Sequence, residues 1–94
     1  MSVDVEIYMN NIIKFFRENP KDLLNLVPKS KEEEFYQKLR ETAYRNYDKG
    51  EEASLTQNQI IEICVQLNGG PKKVSENSVS NLFVKTNFGE YCLN

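Results

Sequence analysis

Side chains that titrate near neutral pH carry much of enzyme chemistry, and histidine is the one that does so without strong perturbation. This chain of 94 residues has no histidine. Its two cysteines, Cys64 and Cys92, stand far apart and belong to no CxxC pair. Cys64 falls on an apolar helical run, where a thiol without a neighbouring base behaves as a small hydrophobe, so both thiols are expected free and unreactive. The triplet Glu32-Glu33-Glu34 could suggest a cation site, but consecutive residues fan out around a helix and cannot converge on one ion. Gly50, Gly69, Gly70 and Gly89 form neither GxGxxG nor GxxxxGK[ST], so no phosphate-cradling loop is expected. The expectation is therefore a protein with no catalytic, cofactor-binding or metal-binding residues, and not an enzyme.

Two patterns bear on recognition instead. The first runs from Thr56 to Lys85 and resembles a helix-turn-helix: a capped helix, a break, then Val-Ser-Glu-Asn-Ser-Val-Ser-Asn-Leu. In such an arrangement Asn77, Ser78, Asn81 and Lys85 would face the major groove, Val79 would point inward, and Lys72 and Lys73 would touch phosphates. Against it, Gly69 to Val74 is longer than the three or four residues typical of the turn. Residues 53–94 also balance at three basic and three acidic side chains, whereas a DNA-binding module usually presents a basic face. The second pattern is a surplus of apolar side chains near the C-terminus: Phe83, Val84, Phe88, Tyr91 and Leu93. Such a segment must dock either on its own core or on another molecule, and twofold dimers are the commonest oligomers. The leading expectation is a small intracellular interaction or regulatory module, self-associating as a homodimer or binding another protein, with Phe83, Phe88, Tyr91 and Leu93 at the interface. A DNA-binding regulator using residues 56–85 is the alternative.

The elements that would position these groups are helical. Val5, Tyr8/Met9, Ile12 and Phe15/Phe16 recur at three and four residues and predict one buried stripe over residues 4–18. Asn19-Pro20 ends that helix and opens a short second one, with Asn19 as N-cap and Leu23, Leu24, Leu26 and Val27 before Pro28. Ser30 and Glu33 have the spacing of a capping box and predict a third helix. Its inner face is Phe35/Tyr36, Leu39, Ala43 and Tyr47, with Arg40 and Arg45 outward and Gly50 as terminator. Thr56 and Gln59 form a second capping box, enclosed by a Leu55–Ile60 staple. The fourth helix then runs from Gln57 to the Gly69-Gly70-Pro71 break, apolar over so much of its surface that it reads as the central helix. Beyond it, Ser75 could cap a fifth helix through about Val84, followed by an extended Tyr91 to Asn94. That reading is favoured over the alternative, in which LFVKT and EYCLN are strands joined at Asn87-Phe88-Gly89.

One mostly α domain over residues 1–94 follows, a bundle of four to five helices with a short extended or hairpin segment at the C-terminus. The 39% apolar and 28% charged composition suits a folded globule. The net charge of −2 is well interspersed, so no generic attraction to nucleic acid or anionic membrane is expected. No apolar run approaches the roughly 20 residues that span a bilayer, and the N-terminus lacks the pattern of a signal peptide, which predicts a cytoplasmic protein. Nine Lys against three Arg, with abundant Asn, Ile, Phe and Tyr, suggests an AT-rich bacterial or phage genome.

Overall fold

The computed structural model describes residues 5–48 and 55–70, and these form four α-helices: α1 (Val5–Glu18), α2 (Pro20–Leu24), α3 (Glu32–Asp48) and α4 (Gln57–Asn68). A 3-10 turn, Lys29–Lys31, precedes α3, and no strand occurs among the described residues. The protein is a small helical bundle. The expected fifth helix or hairpin, and Gly50, lie outside the described residues.

The α1 stripe packs as its spacing demands, with Val5, Tyr8, Met9, Ile12, Phe15 and Phe16 all buried. Phe16 lies at the aromatic centre of the core, edge-on to Phe15 (centroids 5.4 Å apart) and to Phe35 (6.1 Å). Glu6 of α1 meets Arg40 and Tyr44 of α3, while Phe16 meets Phe35 and Tyr36, so the two helices run antiparallel. Asn46 meets Gln59 across α3 and α4, which turn back on each other. The helix flanked on both sides is therefore α3, not α4. The broad apolar surface of α4 resolves into a buried face of Ile60, Ile63, Cys64 and Leu67 and a half-buried flank of Ile61 and Val65.

Local signals fared unevenly. The Thr56 box is complete: Gln59 N donates to Thr56 Oγ1 at 3.1 Å and Thr56 N donates to Gln59 Oε1 at 3.0 Å. Leu55 and Ile60 are both buried in the one core. Gly69, at φ 78° and ψ 18°, ends α4 in the left-handed conformation. Pro20 takes the first helical position of α2. Asn19, however, caps nothing ahead of it. Its Nδ2 donates backward to Phe15 O at 3.0 Å and so satisfies a carbonyl at the end of α1.

Ser30 lies inside the 3-10 turn, exposed and without a side-chain hydrogen bond. Pro28, extended at ψ 152°, already sets that turn, and Lys31 N donates to its carbonyl at 2.9 Å. The second helix proper stops at Leu24, four residues before Pro28. Turn hydrogen bonds such as Val27 N to Leu23 O, 3.0 Å, still carry Leu26 and Val27 into the core.

On α3 the inner face also shifts. Tyr47 is 40% exposed, and the buried residue of that turn is Asn46, at 5%. Asn46 belongs to the row Leu39, Thr42, Ala43, which faces the seam between α1 and α4, whereas Tyr47 is turned past that seam.

Two polar contacts hold α4 at both ends. Leu55 N donates to the hydroxyl of the fully buried Tyr8 at 2.7 Å. Asn68 Nδ2 donates to Leu26 O at 2.8 Å and to Cys64 O at 2.7 Å. Each satisfies backbone groups that would otherwise lose water for nothing.

Candidate functional site

Every residue singled out from the sequence for recognition lies outside the described residues: Phe83, Phe88, Tyr91 and Leu93 for a protein interface, and Lys72, Lys73, Asn77, Ser78, Asn81 and Lys85 for DNA. Cys92 does too. The described helices offer different features.

Cys64 is buried and free, and burial pushes its thiol up to about 12, so it is neither a nucleophile nor a ligand at neutral pH. Glu32, Glu33 and Glu34 diverge as their spacing requires. Glu34 pairs with Lys31 at 4.0 Å, while Glu32 and Glu33 border a groove. No group of three metal-capable side chains occurs among the described residues. No helix among them is long and apolar enough to cross a membrane.

Two concave surfaces border α3. Between α3 and α4 lies a polar cleft of about 220 Å³, bordered by Lys38, Glu41, Thr42, Arg45, Gln59, Glu62 and Gln66. Two of its side chains, Thr42 and Arg45, bond to each other. Thr42 Oγ1 donates to Lys38 O at 2.9 Å and accepts from Arg45 Nη2 at 3.3 Å. Behind the cleft, Asn46 and Gln59 form a reciprocal amide pair: Asn46 Nδ2 donates to Gln59 Oε1 at 2.9 Å, and Gln59 Nε2 donates to Asn46 Oδ1 at 3.1 Å. Gln59 thus caps its own helix and ties it to α3 with one side chain.

The larger surface is a groove of about 430 Å³ where the end of α1, the start of α2 and the first half of α3 meet. Phe16, Leu23, Ile13 and Tyr36 form its floor. Phe16 and Leu23 are core residues seen from outside, while Ile13 and Tyr36 are half-buried. Glu32 and Glu33 stand on the α3 wall, Arg17 on the α1 wall, and Arg40 at the far end, where its Nε donates to Glu6 at 3.3 Å. From Glu33 to Arg40 is about 10 Å along the helix axis. The phenol of Tyr36 is raised above the ordinary tyrosine range by burial and by Glu32 and Glu33, against the opposing pull of Arg17. Charges of both signs therefore converge on one half-buried ring, whose hydroxyl has no partner among the described residues.

Sequence reasoning missed this groove. Tyr36 was expected on the inner face of its helix and is only half-buried, and Ile13, beside the buried Ile12, was not singled out. The available signal was the width of the two stripes, since paired apolar residues on both helices leave a second row for a neighbour to cover. No protein-family model matches the chain, and neither a curated protein nor a solved structure matches it.

Proposed function

We propose that this protein is a small, non-catalytic interaction module of the cytoplasm that associates with a second copy of itself. The observation that carries this reading is the groove of α1, α2 and α3. Half-buried Ile13 and Tyr36, framed by charges of both signs, suit a protein segment, because the two side chains offer a small apolar contact and the rim selects orientation. Arg17, Glu32 and Glu33 make no ion pair among the described residues, so the rim keeps its charges for a partner. A thiol sealed in the core, as Cys64 is, suits a reducing compartment. Sedimentation equilibrium across a hundredfold range of protein concentration tests the reading. Mass rising to that of a dimer supports it, and monomers at high micromolar concentration reject it.

The second reading, a DNA-binding regulator, draws on the two ends of α4: a complete Thr56 cap and a left-handed stop at Gly69 are what the first helix of a helix-turn-helix needs. If Lys72, Lys73 and Lys85 each neutralise a phosphate, DNA affinity falls with salt at a log–log slope of about −2.7. A groove-mediated dimer without DNA affinity leaves this second reading empty.

A further inference from the structure

We draw no further inference here: the strongest candidate, the surface patch of Ile13 and Tyr36 in the groove between α1, α2 and α3, is an unpartnered apolar face, and nothing in the structure shows what covers it.

Discussion

The side chain of Gln59 does two jobs, and removing one of its partners should be felt at the other. Asn46→Ala deletes two hydrogen bonds, the 2.9 and 3.1 Å contacts of the amide pair. At about 0.5–1.5 kcal/mol each, their loss amounts to roughly 1–3 kcal/mol. The higher helix propensity of alanine returns about 0.5 kcal/mol, leaving a net cost of about 0.5–2.5 kcal/mol. For a domain of this size that lowers the melting midpoint by about 2–20 °C.

Gln59 Oε1 also accepts from Thr56 N, so a Gln59 freed from Asn46 holds the cap less firmly. A double-mutant cycle with Thr56→Ala should therefore return a coupling of about 0.5 kcal/mol or more, although Asn46 and Thr56 share no direct bond. Urea unfolding followed by circular dichroism measures all four corners. Asn58→Ala, at an exposed position in the same first turn of α4, is the control and should stay within about 0.5 kcal/mol of wild type. Additive costs, or an Asn46→Ala midpoint equal to that of the control, would refute the shared-side-chain argument.

Thr56→Ala alone should cost about 0.5–2 kcal/mol, read as a melting midpoint several degrees lower; an unchanged midpoint would mean the cap is energetically idle. Tyr8→Phe should cost about 1–3 kcal/mol, because Leu55 N then loses its acceptor in a buried site, and exchange of the Leu55 amide should quicken. In native protein at pH 8, Cys64 should resist maleimide and react only after denaturation. Its folded pKa is raised from 9.0 to about 12, so the associated stability is full below pH 9 and disappears as pH climbs towards 12. Relative to Cys64→Val, wild type should lose stability more steeply over that window.

What the sequence made legible were features decided within one or two turns. Val5, Tyr8, Met9, Ile12, Phe15 and Phe16 had only to recur at helical spacing, and Thr56 and Gln59 are their own partners. The failures came where a competing contact intervened. Ser30 had the spacing of a cap, but the fixed geometry of Pro28 turned the chain first. Asn19 could serve either of two helix ends and served the earlier one. Asn46 and Tyr47 were misordered because hydrophobicity favours tyrosine, whereas the buried position was secured by an amide thirteen residues away. Local periodicity carries no record of such a partner. The groove was hidden for a related reason, since it belongs to three helices jointly.

The hydrogen bond from Leu55 to Tyr8 spans 47 positions, which has a consequence for the order in which the protein can be made. When α1, α2 and α3 have left the ribosome, the Tyr8 hydroxyl has no Leu55 to bind, and the side of the nascent hairpin that α4 will cover is bare to water. Ile60, Ile63, Cys64 and Leu67, the α4 share of the core, are added last, between the end of α3 at Asp48 and residue 67. At about 5–20 residues per second, that interval lasts on the order of seconds, far longer than helices need to form. The nascent chain thus passes through a sticky half-built stage, and holding chaperones would find it there.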